Sequence, residues 1–262
     1  MITVNNLNID NYIIDLEFNE NKLYGLFSLD KNLISSLFLM LSGINNTKGK
    51  ILYNNENAYD NEKFFRSRIY LDCEKEYFQS IKPVNIKNAI FYKFNKVIDL
   101  EKLSNYFKVL DVRGECEITS IYQLTPCGNT FVNLSVLLAS NNDLLINNPT
   151  VNVTNVSDIA YLVNEISHDK NMRIIGLNSL LHFKDKLDIL YLFTPFNEVI
   201  KVNPSLDVFY LIDKHNAFLS LYNTKNPNKM IVKGLSNDEI KYCERNKISY
   251  QKINIYELEK YI

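Results

Sequence analysis

The chain opens with two stretches in which apolar and polar side chains alternate, residues 2–9 and 12–19. Side chains on a strand point to opposite faces in turn, so this period of two predicts a pair of half-buried antiparallel strands. Residues 22–29 break the alternation. Leu23, Tyr24, Leu26, Phe27 and Leu29 form a nearly continuous apolar run, as in a strand covered on both faces. A helix is predicted to follow at once: Asp30 is a suitable N-cap, Leu33, Leu37, Met40 and Leu41 share one face, and Gly43 is a natural stop. Residues 49–54 and 68–72 read as further strands. Spacings of three and four then predict helices over residues 84–94, 101–110 and 129–139.

The second half alternates element types. Leu144-Leu145-Ile146 predicts a short buried strand, residues 156–166 an amphipathic helix, and residues 173–177 and 189–193 two more apolar strands. Such strand–helix–strand units imply parallel pairing, with helices on the sheet faces and ligands outside the carboxyl ends of the strands. After Pro204 the pattern changes to strands at 208–212, 218–222 and 230–232, a helix at 237–245 and a helical terminal segment at 256–262. The prediction is an α/β core over residues 1–203, with a helical subdomain at about 75–140, and a small α+β appendage over 204–262. No low-complexity linker separates the two, so the appendage is expected to pack directly on the core.

Composition narrows the function. A length of 262 residues fits one large domain with a small addition, and 46% hydrophobic residues can fill its core. Twenty-nine basic against 30 acidic residues give no net field for a polyanion, so no nucleic-acid partner is expected. Cys73, Cys116, Cys127 and Cys243 form no CxxC pair, which argues against a zinc site and a secreted disulfide scaffold, and the chain reads as intracellular. The N-terminal residues lack a basic stretch followed by an apolar one, so no signal peptide is expected. The longest spanning candidate, residues 33–41, falls well short of roughly 18 apolar residues and contains Ser35 and Ser36. His168, His182 and His215 lack the mutual spacing of a metal site and read as surface or capping residues. Glu74, Glu76, Glu115 and Glu117 read as solvated loop charges.

A buried strand ending near Phe27, a short loop and a helix near Ser35-Ser36 is the layout of a phosphate-binding loop. That chemistry needs glycines to aim backbone N–H groups inward, a lysine for the terminal phosphates and a hydroxyl for the metal ion. Between Phe27 and Ser35 there is no glycine, and Ile34 stands where the lysine would be. Taken alone, the segment reads as an ordinary strand-to-helix junction.

The order of the whole chain changes that assessment. Leu23-Tyr24-Gly25-Leu26-Phe27, then Ser35-Ser36-Leu37 and Leu41-Ser42-Gly43, resembles the Walker A strand, loop and helix of the ATP-binding subunit of an ABC transporter. Arg68-Ile69-Tyr70-Leu71-Asp72-Cys73 resembles the strand leading to that family's glutamine loop, with Cys73 in place of glutamine. Leu124-Thr125-Pro126-Cys127-Gly128 sits where the family carries its leucine-serine-glycine-glycine-glutamine signature. Leu144-Leu145-Ile146-Asn147-Asn148-Pro149-Thr150 resembles the Walker B strand, with both acids replaced by asparagine, and Ser179 is the nearest match to the switch histidine. The tail Tyr256-Glu257-Leu258-Glu259 resembles the end of the accessory segment in drug- or peptide-exporting members.

The resemblance implies an ABC-type P-loop NTPase-like core, a mixed sheet with antiparallel N-terminal strands, in a catalytically inactive homologue. Ser28, Lys31, Ile34, Ser35 and Ser36 would form the degenerate loop, and Thr125, Cys127 and Gly128 the signature surface. Asn147, Asn148, Ser179 and Cys73 would stand in the catalytic positions without their chemistry. No metal or cofactor of its own is implied; ATP and magnesium would come only with a partner. The implied partners are an active ATPase subunit, forming a heterodimer, and a transmembrane permease, which places the chain in the cytoplasm at the inner face of the membrane. Tyr12 is the nearest aromatic for adenine stacking, in a stretch shorter than the family's. A nucleotide-independent scaffold or regulatory protein with the same fold is the alternative.

Overall fold

A computed structural model describes residues 1–47, 50–75, 98–110, 125–168, 171–183, 185–214 and 221–262. The two alternating stretches form β1 (Ile2–Ile9) and β2 (Tyr12–Phe18), antiparallel to each other, with every second residue of β2 buried. The apolar run is β3 (Leu23–Ser28), buried along its whole length, and α1 (Lys31–Leu41) follows it. Ser42 caps α1, and Gly43 then turns the chain at φ +83°, a conformation that costs glycine little. Next come β4 (Ile51–Tyr53), β5 (Glu56–Asn57), the short α2 (Glu62–Arg66) and β6 (Arg68–Asp72).

In the helical region, α3 (Leu100–Leu110) and α4 (Pro126–Leu138) are described; the helix predicted at 84–94 lies outside the described residues. The rest of the core alternates as predicted: β7 (Asp143–Asn147), α5 (Val156–His168), β8 (Arg173–Leu177), β9 (Ile189–Phe193), and a further strand, β10 (Val199–Val202). The appendage contains β11 (Phe209–Asp213), β12 (Leu221–Asn223), β13 (Lys229–Lys233), α6 (Asn237–Arg245) and β14 (Tyr250–Ile253). The first part of the strand predicted at 218–222 lies outside the described residues. The terminal segment is helical as predicted, a 3₁₀ helix over Ile255–Lys260.

Among the described residues the strands form three sheets. One is antiparallel, in the order β2-β1-β4-β5. The central one runs β10-β9-β3-β8-β7-β6, parallel except where β10 returns beside β9, and the appendage sheet runs β12-β13-β11-β14. Because β3 lies inside the central sheet, its side chains must be apolar toward both faces. Leu23 and Phe27 join a core with Leu134, Leu138 and Ile166, whereas Tyr24 and Leu26 join one with Leu16, Leu37 and Phe38. Phe209, Ile231, Ile253 and Leu258 belong to the first of these cores, so the appendage packs directly against the central sheet. Among the described residues, no helix is long and apolar enough to cross a membrane.

Candidate functional site

At the carboxyl end of β3 the chain turns through Leu29 and Asp30 into α1. The Asp30 backbone N–H donates to Ser28 Oγ at 3.0 Å, and the Asp30 carboxylate accepts from the Asn32 backbone N–H at 2.9 Å. The positive end of α1 is therefore occupied by the chain's own carboxylate. Beside it lies a cleft of about 180 Å³ whose lining includes Ser28, Lys31, Ile34, Asn147, Asn148 and Asn178. Of the predicted loop residues, Ser28, Lys31 and Ile34 line this cleft. Ile34 is only 4% exposed and belongs to the core that contains Leu37 and Phe38. Ser35 and Ser36 are half-buried on the next turn.

The strand register brings the rest of the site together. Asp72 at the end of β6 lies opposite Asn147 at the end of β7, and both are buried. Asn147 Nδ2 donates to Ser35 Oγ at 3.2 Å and lies 3.4 Å from Asp72 Oδ1. An amide suits this position because a carboxylate and a hydroxyl oxygen face it together. Lys75 Nζ is 3.5 Å from the other Asp72 oxygen. Gly176 on β8 completes the packing: a Cβ there would run into Asn147 Oδ1 and lie 2.9 Å from Phe38 Cε2.

Asn148 takes a left-handed turn at φ +50°, which asparagine tolerates better than most residues, and its Nδ2 donates to Glu74 Oε1 at 2.7 Å. The same Glu74 oxygen is 3.5 Å from Lys31 Nζ. Glu74 is an exposed turn residue, as the sequence implied, but its carboxylate is held by these two side chains. Cys73 is buried, its backbone N–H donates to the Asn147 carbonyl at 2.9 Å, and burial, reinforced by Asp72 and Glu74, pushes its thiol pKa up. That thiol is a packing group and not a nucleophile.

Ser179 does not line the cleft; its Oγ accepts from the Leu181 N–H at 3.3 Å in a local turn. Asn178 takes the cleft position instead. His182, expected at the surface or in a cap, is half-buried with Nδ1 2.8 Å from Thr150 Oγ1. The Thr150 hydroxyl donates to Asn178 Oδ1 at 2.9 Å, so Nδ1 of His182 must be the donor in their contact. Burial holds the imidazole pKa below its usual value, with Glu259 opposing the shift. Tyr12 is no free stacking platform: it is buried, donates to the Thr194 carbonyl at 2.6 Å and meets Phe193 edge-on at 6.0 Å.

Thr125, Cys127 and Gly128 do not line the first cleft. α4 begins at Pro126, not Asn129, because Pro126 is compatible with the first helical turn and Thr125 is its N-cap, accepting from the Gly128 N–H at 3.1 Å. Thr125's hydroxyl is thus already used within the chain. A second cleft of about 180 Å³ separates this helix start from the end of β6, lined by Glu74, Lys75, Pro126, Asn129 and others. Glu76, Glu115, Cys116, Glu117, Leu124 and His215 lie outside the described residues.

A parallel central sheet with a helix following its central strand, flanked by an antiparallel sheet and a helical region, defines a P-loop NTPase-type fold. Solved structures narrow it further. The chain matches a dimeric bacterial ABC transporter cassette with a TM-score of 0.64 at 12% identity, covering 78% of this chain and 98% of that one. A putative cobalt transport ATP-binding protein matches with a TM-score of 0.66 at 18% identity, over 90% of this chain and 93% of that one. The protein cbiO1 of Clostridium perfringens, part of the ABC transporter complex cbiONQ, matches with a TM-score of 0.59 at 14% identity, over 78% and 88%. The fold is that of an ABC transporter ATP-binding cassette. No protein-family model and no curated protein matches the chain.

Proposed function

We propose that this chain is a non-hydrolysing cassette subunit of an ABC transporter, pairing with a catalytically active ATPase subunit and a membrane permease in an exporter of the peptide or drug type. Support for the fold comes from its likeness to transporter cassettes, one of them part of a larger transporter complex. Support for the inactive reading comes from a misfit between the cleft residues and a magnesium-bound triphosphate.

The observation that carries it is the Asp30 carboxylate on the start of α1, next to a buried Ile34. A helix N-terminus binds anions through free N–H groups and its dipole, and here a carboxylate of like charge takes that place. Phosphoryl transfer depends on cations positioned around the phosphates, and Ile34 brings none. Asn147 turns its amide toward Ser35 and Asp72, and Asn148 cannot take a proton from water. Nucleotide and magnesium in the complex would accordingly be held chiefly by the partner.

Affinity purification of the tagged chain from its native host tests the proposal. Recovery of a membrane-spanning subunit together with a second, motif-complete cassette is the expected result. Recovery of neither, with the chain still folded, would replace it with the nucleotide-independent scaffold.

A further inference from the structure

Two hydrogen-bond donors that line the first cleft converge on a single oxygen. Asn148 Nδ2 lies 2.7 Å and Lys31 Nζ 3.5 Å from Glu74 Oε1. Asn148 is buried, and the carboxylate satisfies an amide group that would otherwise be costly to leave unpaired. Lys31 is 68% exposed at its side chain, yet it is the cationic side chain among those lining the cleft. Glu74 is itself held in place: its backbone N–H donates to Asp72 Oδ1 at 3.2 Å, and the preceding Cys73 N–H donates to the Asn147 carbonyl. The carboxylate, which lines the second cleft, thus meets two side chains of the first from an anchored turn after β6.

We propose that Glu74 is an internal stand-in for a bound anion, an autoinhibitory contact that engages Lys31 and Asn148 and keeps polyphosphate out of the cleft. This deepens the non-hydrolysing reading and rests on it for the identity of the cleft. An anion reaching the cleft must displace a tethered carboxylate from both donors while meeting the Asp30 carboxylate at the helix start. Replacing Glu74 by glutamine removes the charge but keeps an oxygen that can accept from Asn148, so the turn is retained and Lys31 is released.

Calorimetry with inorganic pyrophosphate on the full chain tests this, comparing wild type, Glu74→Gln, Glu74→Ala and the double variant Glu74→Gln/Lys31→Met. The expected result is that both single variants bind pyrophosphate about tenfold or more tighter than wild type, and that Lys31→Met abolishes the gain. No gain in either single variant, with thermal melts showing both folded, overturns the proposal. A gain that survives Lys31→Met overturns it as well, because the anion would then be bound elsewhere. Phosphate release from Mg-ATP, measured alongside, separates the two claims. Turnover by the wild type contradicts the non-hydrolysing reading whatever the binding data show, whereas a missing gain without turnover removes only the role given to Glu74.

Discussion

Substituting Asn147 with aspartate probes the site where strand register matters most. The Asn147 amide lies 3.4 Å from the Asp72 carboxylate, and both residues are buried. A charged carboxylate at 147 would place two like charges at about that separation, which at an effective dielectric of about 20 repel by about 5 kcal/mol. The introduced carboxyl will relieve this by keeping its proton, so its pKa rises in the folded state. The substitution also removes a donor to a charged acceptor, a loss of about 1.5–3 kcal/mol. A net destabilisation of about 2–4 kcal/mol at pH 8 follows. The sign with pH is fixed: a carboxyl whose folded pKa exceeds its unfolded value binds more protons when folded. Stability is therefore lost as pH rises from the unfolded pKa, about 4, through the raised folded value. Urea unfolding at pH 5 and pH 8 measures the effect, and Asn147→Asp should lose more against wild type at pH 8. The exchange variant Asp72→Asn/Asn147→Asp should recover much of the loss, since it restores one acid facing one amide. Equal stability of Asn147→Asp and wild type at pH 8, or an exchange variant no better than the single, would show that the Asp72 carboxylate does not act on position 147.

Three further outcomes follow from the same geometry. Ile34→Lys places an ammonium in an apolar core and should cost about 2–4 kcal/mol in chemical denaturation, without producing ATP hydrolysis. Gly176→Ala brings a Cβ within 2.9 Å of Phe38 Cε2 and 3.0 Å of Ile34 Cγ2, and should lower stability by about 1–3 kcal/mol in the same assay. His182 has its pKa held below 6.5 by burial, so the folded state favours the neutral ring, and this contribution to stability is present above the unfolded value and lost as pH falls. Thermal melts between pH 7 and pH 5 should show a shallower pH dependence for His182→Gln than for wild type, and a parallel pair of curves would contradict the lowering of the imidazole pKa by burial.

Much of the scaffold was legible because its elements obey local rules. β3 announces itself as an unbroken apolar run, and α1 follows from an N-cap, a one-sided apolar face and a terminal glycine. α4 starts three residues before the predicted 129, because its first turn, Pro126 to Gly128, carries no apolar spacing although proline is tolerated there. The short strands β5, β10 and β14 carry too few residues for a clear period, and pairing with neighbours defines them. The site was harder to read. Glu74 meets Asn148 across 74 positions of sequence, and no local pattern distinguishes it from the other acidic residues near it. The Asp72–Asn147 contact depends on the parallel register of β6 and β7, which sequence period does not fix. His182 likewise gains its partner only through the fold.

Steady-state phosphate release from Mg-ATP by the purified chain decides whether the cassette fold is kept without its hydrolytic chemistry. Release no faster than in buffer is expected, with the same trace for a Ser35→Ala variant. Saturable turnover by the wild type that Ser35→Ala abolishes would contradict it.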